Sequence, residues 1–243
     1  MNNLDPMTLF LNIIAPIITL LCGYIFSGIP YALIIGKIFY KQDIRELGSK
    51  NPGGTNAIRV WGWKTGICVI ALDMIKAIAP FWITFAIINF TPVKEILIDD
   101  VRFLSIWITA LGCVLGHCYS VFLKFKGGKG VATYMATLGP SCWLQFVINF
   151  VVFVSTISIK KIVSIGSILV CICATVIAWI LFGCYEGYPP SREIIDIFFL
   201  GNSDLLQMTW AYPIIVTIMS GIVIFRHKQN IINLKNKTEK ATY

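Results

Sequence analysis

Val131-Ala-Thr-Tyr-Met-Ala-Thr-Leu-Gly-Pro-Ser-Cys-Trp-Leu-Gln-Phe-Val-Ile-Asn-Phe-Val-Val-Phe-Val-Ser-Thr-Ile-Ser158 carries no Lys, Arg, Asp or Glu over 28 residues. A single membrane-spanning helix needs about 20 apolar residues. Gly139-Pro140 interrupts the run, and proline both removes a helical hydrogen bond and crowds the preceding turn. The stretch reads either as two short crossing helices hinged at that pair or as a re-entrant segment that does not cross. Its flanks bear on the choice. Lys124, Lys126 and Lys129 precede it, and Lys160 and Lys161 follow it. Basic clusters mark the cytoplasmic side, so both ends of the stretch belong there and it crosses an even number of times. Two short helices fit, because a bilayer thins locally around short spans. The length of uncharged chain favours them over a re-entrant loop.

Working outward, five more apolar segments appear, at roughly 10–39, 66–90, 103–123, 162–183 and 208–225. The chain is 57% hydrophobic and 13% charged, where a soluble domain is about 25% charged. This composition excludes an ordinary soluble domain and predicts an all-α polytopic membrane protein. Further basic clusters lie at 41–64 (Lys41, Arg45, Lys50, Arg59, Lys64) and in the tail (Arg226, Lys228, Lys235, Lys237, Lys240). The connections 91–102 and 184–207 carry Lys94, Arg102 and Arg192 against seven acids. The expectation is seven transmembrane helices, two of them short, with the N-terminus outside and the C-terminus cytoplasmic. A re-entrant 131–158 would leave five. The flank Met1 to Met7 holds Asp5 and no Lys or Arg, unlike a cleavable signal peptide. Eight cysteines sit mostly in apolar runs and read as small hydrophobes, with no metal or disulfide framework. The outer loop 184–207, with Ile194, Ile195, Ile197 and Phe198, reads as a surface-lying helix.

Two glycine-rich basic segments lie at the ends of apolar runs: Gly48-Ser-Lys-Asn-Pro-Gly-Gly-Thr-Asn56 and Lys126-Gly-Gly-Lys-Gly130. Glycine lets backbone N–H groups converge and lysine adds charge, which makes an anion nest. Arg59 follows the first segment, and its planar fork suits phosphate oxygens. The second precedes the start of a helix, whose amino end adds partial positive charge. It is not a Walker loop, which needs Gly, four residues and then Gly-Lys-Ser/Thr, whereas Val131 follows Gly130 here. Asp73 and Lys76 share one helix face inside a span, either neutralising each other or serving the site. His117 and His227 stand near cytoplasmic span ends, as interfacial residues or as a base, with Asn230 one turn past His227. Ser164 and Ser167 are a helix-packing pair or ligands to a polar substrate.

These segments resemble the PlsY family, the bacterial acyl-phosphate-dependent glycerol-3-phosphate acyltransferases. The family's first motif, roughly GSGN-x-GATN-x-x-R, is matched by Gly48 to Arg59, and its GH-x-(F/Y)-P-x-F-x-x-F-K-G-G-K-G-V-A-T by Gly116 to Thr133. A D-x-x-K matches Asp73 to Lys76, a V-S-x-x-S matches Val163 to Ser167, and R-H-x-x-N-I with a following Glu matches Arg226 to Ile231 and Glu239. The order along the chain is the same. Lys50 and Lys237 stand where the family has glycine, Gly54 where it has alanine, and Ser120 where it has proline.

The resemblance implies one integral-membrane acyltransferase domain over 1–243. It would pass a fatty acyl group from acyl phosphate to the sn-1 hydroxyl of glycerol 3-phosphate, at the cytoplasmic face of the cell membrane. It implies catalytic roles for Ser49, Arg59 and His227. Substrate binding falls to Gly48, Asn51, Thr55, Asn56, Lys124, Gly127, Gly128, Lys129, Gly130, Ser167 and Asn230. No metal or organic cofactor is expected. The expected partners are the two substrates, the lipid bilayer and, functionally, an acyl-phosphate-forming enzyme; no nucleic acid is expected. An H-x-x-x-x-D dyad is missing, since Phe122 and Ile232 stand five residues past the two histidines. Either His227 or the donor phosphate could therefore take the hydroxyl proton. The rival reading is a transporter or exchanger of organic phosphates, which would favour internal repeats and midplane charges.

Overall fold

The computed structural model describes residues 5–198 and 205–239. Lys240, the first four residues of the N-terminal flank and 199–204 of the outer loop lie outside them. The described residues are all helical, with no strand. Asp5 caps α1 (Pro6–Ser27) by accepting the N–H groups of Met7 and Thr8, each at 3.0 Å. Next come α2 (Tyr31–Ile35), a π turn over Gly36–Tyr40, α3 (Gly54–Trp61), α4 (Trp63–Phe90), α5 (Val93–Ile96) and α6 (Asp99–Cys118). The second half holds α7 (Val131–Ser141), α8 (Trp143–Lys160), α9 (Val163–Gly187), α10 (Arg192–Asp196), α11 (Ala211–Arg226) and α12 (Lys228–Lys235). Among the described residues, five stretches are long and apolar enough to cross a membrane: Pro6–Tyr40, Trp63–Phe90, Asp99–Leu123, Trp143–Lys160 and Val163–Gly187. Ala211–Arg226 is apolar but shorter, and α7 has 11 residues.

The expected hinge lies elsewhere. Pro140 remains inside α7, and the chain breaks at Cys142, where the backbone is extended (φ −149°, ψ 101°). A proline disfavours helical geometry in the residue before it by striking that residue's Cβ. Here that residue is Gly139, which has none, so the helix runs through the pair. Among the described residues of the outer loop, α9 runs on to Gly187, and the Pro189–Ser191 turn and α10 follow, with Ile195 buried and Ile194 and Ile197 exposed.

Two features lock the bundle. First, α1 lies along α6 at backbone contact. A Cβ at Gly112 or Gly116 would collide with the carbonyl oxygens of Leu20 or Tyr24, and one at Gly23 with that of Thr109. Small residues four apart permit such close approach where no hydrophobic force drives helices together. Second, α7, α8, α9 and α11 share buried polar contacts. Tyr134 Oη and Ser220 Oγ lie 2.8 Å apart, Thr175 Oγ1 donates to Ser220 Oγ at 3.0 Å, and Tyr212 Oη donates to Gln145. Every partner is satisfied within the bundle, as a low-dielectric interior requires.

The departures from the family motifs have local explanations. Lys50 and Lys237 adopt φ of 60° and 57°, the left-handed region that glycine occupies without strain. This chain thus has a glycine-like backbone at both positions, with lysine side chains on it. Ser120, in place of proline, donates its hydroxyl to Gly28 O at 2.6 Å and ties the end of α6 to the end of α1. At Gly54 a Cβ would collide with Ile70 Cγ1, so this chain's Ile70 requires the smaller residue.

Two stability outcomes follow. Gly116→Ala should lower stability by roughly 1–3 kcal/mol, the usual cost of overpacking. Gly183→Ala, with nothing within 4 Å of its added methyl, should not. Melting temperatures in detergent check both. Lys50→Gly should raise stability by up to about 1 kcal/mol, because removing about 1–2 kcal/mol of left-handed strain outweighs the extra chain entropy. A lower melting temperature for Lys50→Gly would contradict that reading of the backbone.

Candidate active site

The two glycine-rich loops meet at one end of the bundle, each opening a helix. Gly53 precedes α3, and Gly130, with φ of 85°, precedes α7. The first N–H groups of a helix have no partner within it. Those of Gly54 and Thr55 and those of Val131 and Ala132 belong to residues that line the same cavity. Two helix amino ends thus bring partial positive charge to one place.

This cavity holds about 240 Å³. Its polar end is formed by Ser49, Asn51, Thr55, Asn56, Arg59, Lys129, Gly130, Ser167, His227 and Asn230. Its lining also includes the apolar Ile70, Met74 and Met135 and, from α8, Phe146, Phe150 and Phe153. A wider vestibule of about 710 Å³ shares Ser49, Asn51, Arg59, Lys129, Asn230 and Glu239 with it and adds Gly48, Lys50, Lys126, Gly127 and Arg226. Of the residues expected at the site, Lys124 and Gly128 line neither cavity. Lys124 is exposed on the turn after Val121–Leu123.

The loops work differently from simple nests. The N–H groups of Gly127 and Gly128 do not converge on an open site: they donate to Cys118 O (3.2 Å) and His117 O (3.0 Å). Arg226 holds the carbonyls of the same two glycines, through Nη2 to Gly127 O at 2.7 Å and Nε to Gly128 O at 3.0 Å. In the first loop, Asn56 accepts Ser49 N–H at 2.7 Å and donates to Ile44 O and Leu47 O. Its amide is therefore committed to the loop's shape. Ser167 Oγ donates to Val163 O within its own helix.

The side chains left for a ligand are chiefly cationic. Lys129 Nζ donates to Asn230 Oδ1 at 2.7 Å, and burial holds its pKa below the ordinary lysine value. Arg59 has no carboxylate at ion-pair distance among the described residues. Glu239 brings a carboxylate to the cavity from the tail. It accepts from Asn230 (2.6 Å), Ser164 (2.8 Å) and Asn233 (3.2 Å). Burial alone would raise its pKa, but these hydrogen bonds outweigh burial and hold it below the usual value. His227 sits at the break between α11 and α12, with Nδ1 2.8 Å from Val223 O. A carbonyl can only accept, so Nδ1 carries the proton and Nε2 is the acceptor. Burial pushes this imidazole down to about 4, so it is neutral at pH 7.

Several residues at the site were outside the expected binding set: Glu239, Ser164, Asp73 and His117 all line the inner cavity. Asp73 and Lys76 form a buried pair at 2.8 Å. Ser164 carried a signal in its spacing from Ser167, and Glu239 matched the Glu of the family's tail motif, although neither was placed in the binding set.

Residues 17–237 match the family described as glycerol-3-phosphate acyltransferase. The chain is 31% identical over 238 residues to a glycerol-3-phosphate acyltransferase of Mycoplasmopsis agalactiae, covering 96% of this chain and 97% of that one. It is 34% identical over 224 residues to one from Chlorobium chlorochromatii, covering 90% and 94%. Among solved structures it is similar to PlsY, an integral membrane glycerol 3-phosphate acyltransferase, in its glycerol 3-phosphate form. That match has a TM-score of 0.67 and 26% identity, over 97% of this chain and 95% of that one. The lysophosphatidic acid form of PlsY matches with the same TM-score and identity over 93% and 94%. With its motifs gathered around one cavity and the match spanning nearly its whole length, the chain belongs to the glycerol-3-phosphate acyltransferase family.

Proposed function

We propose that this chain transfers a fatty acyl group from acyl phosphate to the sn-1 hydroxyl of glycerol 3-phosphate, releasing lysophosphatidic acid and phosphate. The observation that carries the reading is a single cavity lined both by cationic groups, Arg59 and Lys129, that follow or belong to the two glycine-rich loops and by the phenylalanines of α8. Two phosphates and one acyl chain match that lining. Ser49, Arg59 and the amino end of α3 hold one phosphate. Lys129, Asn230 and the amino end of α7 hold the other. The acyl chain lies against Phe146, Phe150 and Phe153. The anhydride bond of acyl phosphate is already activated, so placement and charge neutralisation supply the catalysis.

The hydroxyl oxygen attacks the acyl carbon, the bond from that carbon to the phosphate oxygen breaks, and the hydroxyl proton leaves with the phosphate. Ser49 has no histidine hydrogen-bonded to it among the described residues, as an activated serine nucleophile would need. A neutral His227 with a pKa about 4 is a weak base at pH 7 and serves better as a hydrogen-bond acceptor for the attacking hydroxyl. Donor phosphate oxygens then take the proton.

The proposal extends to placement. The five long spans, α8 among them, together with α7 and α11 make seven crossings, α7 and α8 being the hinged pair, with the N-terminus outside and the C-terminus cytoplasmic. Residues 1–243 act as one integral-membrane domain whose site opens to the cytoplasm, supplied by an acyl-phosphate-forming enzyme.

Purified protein offered palmitoyl phosphate, acyl-CoA or acyl-carrier protein should form lysophosphatidic acid from the acyl phosphate; product from acyl-CoA alone would overturn the donor. Ser49→Ala and Arg59→Ala should each lower kcat/KM by roughly 10–100-fold, as lost hydrogen bonds to a charged group do, with the melting temperature unchanged. Wild-type rates would refute the site. The His227 imidazole lies at about 4 folded against 6.5 unfolded, so the unfolded chain binds the extra proton between those values. Stability from this group is full above 6.5 and declines as pH falls toward 4. The slope of melting temperature against pH in that window should flatten in His227→Gln; an unchanged slope would assign it to another group.

A further inference from the structure

We propose that His117, backed by the buried Asp73–Lys76 pair, is a positioning residue that sets the shape of the 126–130 loop and so places Lys129. This rests on the site assignment above and adds residues that act through Lys129.

The loop is held from two sides. On one side its backbone pairs with the end of α6, through the Gly127 and Gly128 N–H groups to Cys118 O and His117 O. The His117 ring fills the space beside Gly128, where an added Cβ would collide with Nε2. A residue with a side chain at 128 and an imidazole at 117 cannot both fit. On the other side Arg226 binds both glycine carbonyls and lies over the Tyr119 ring, 5.3 Å from its centroid. The next residue along the chain is Lys129, whose Nζ reaches Asn230 at 2.7 Å.

The ring itself is fixed from behind. His117 is 7% exposed, and its Nδ1 has no hydrogen-bond partner among the described residues. It faces Asp73 Oδ1 at 3.7 Å, beyond hydrogen-bond length but close enough for the carboxylate to orient it. Asp73 is in turn gripped by Lys76 Nζ at 2.8 Å, and Lys76 donates to Ile29 O at 2.7 Å. Charges at membrane depth are costly unless paired. This pair sits on α4 directly behind the His117 ring and lines up the turn after α1, α4 and α6 behind one glycine. An unpaired role for Asp73 and Lys76 in mere neutralisation leaves the tight seat of His117 against Gly128 unexplained.

A double-mutant cycle tests this. Gly128→Ala should raise KM for glycerol 3-phosphate by about tenfold or more, because the methyl displaces the loop. Removing the ring makes room for the methyl, so His117→Ala/Gly128→Ala should have a lower KM than Gly128→Ala alone. Effects that multiply, or a double variant worse than both singles, would overturn the proposal. If Gly128→Ala folds too poorly for kinetics, the comparison passes to melting temperature, where the double variant must melt above the single. Asp73→Asn should raise the same KM roughly three- to tenfold in the wild type and leave it unchanged in His117→Ala. An equal rise in both backgrounds would remove Asp73 from the account. The two failures are distinguishable: wild-type protein without acyl transfer rejects the functional reading, whereas an active wild type with a multiplicative cycle rejects only this inference.

Discussion

Positive charge without a partner is costly inside an apolar bundle, and this protein gathers it in one place. Lys129 is partly stripped of water, Arg59 has no carboxylate at ion-pair distance among the described residues, and two helix amino ends face the same cavity. Glu239 offsets a fraction of that charge and is itself satisfied by three amide and hydroxyl donors. The remaining imbalance is what a dianionic substrate would relieve. Much of the surrounding structure holds that imbalance in place. Arg226 spends its guanidinium on loop carbonyls, Asn56 spends its amide on loop backbone, and Asp73 and Lys76 cancel each other beneath the site.

The membrane bundle was legible because its signals are long. Runs of apolar residues and lysine clusters average over many positions, and the helices fall close to where they point. The gathering of both glycine-rich loops at one cavity was legible for the same reason, since their charge sets which end of the bundle they occupy. Features set by single contacts were not legible. The hinge moved to Cys142 because Gly139 lacks the atom that proline would strike. Helix α3, which carries Arg59, is only eight residues long and was hidden in a basic loop. Its boundaries are Gly53 and Gly62, which read equally well as turn residues.

The roles of individual atoms needed coordinates. Gly127 and Gly128 looked like N–H donors to a phosphate, yet their N–H groups bind carbonyls at the end of α6. Glycine serves there because the chain passes tightly against His117. Lys50 and Lys237 show the converse: the residue type departs from the motif's glycine, yet the backbone is in the left-handed region that glycine favours. A sequence motif records which side chains are tolerated, and the backbone geometry is what the site uses.

The central claim is that one cavity holds acyl phosphate and glycerol 3-phosphate together, with the acyl group passing directly between them. Initial rates measured while both concentrations are varied test it most directly. The account predicts reciprocal plots that intersect, the pattern of a complex holding both substrates. Parallel lines, with an acyl group left on Ser49 after phosphate departs, would contradict it.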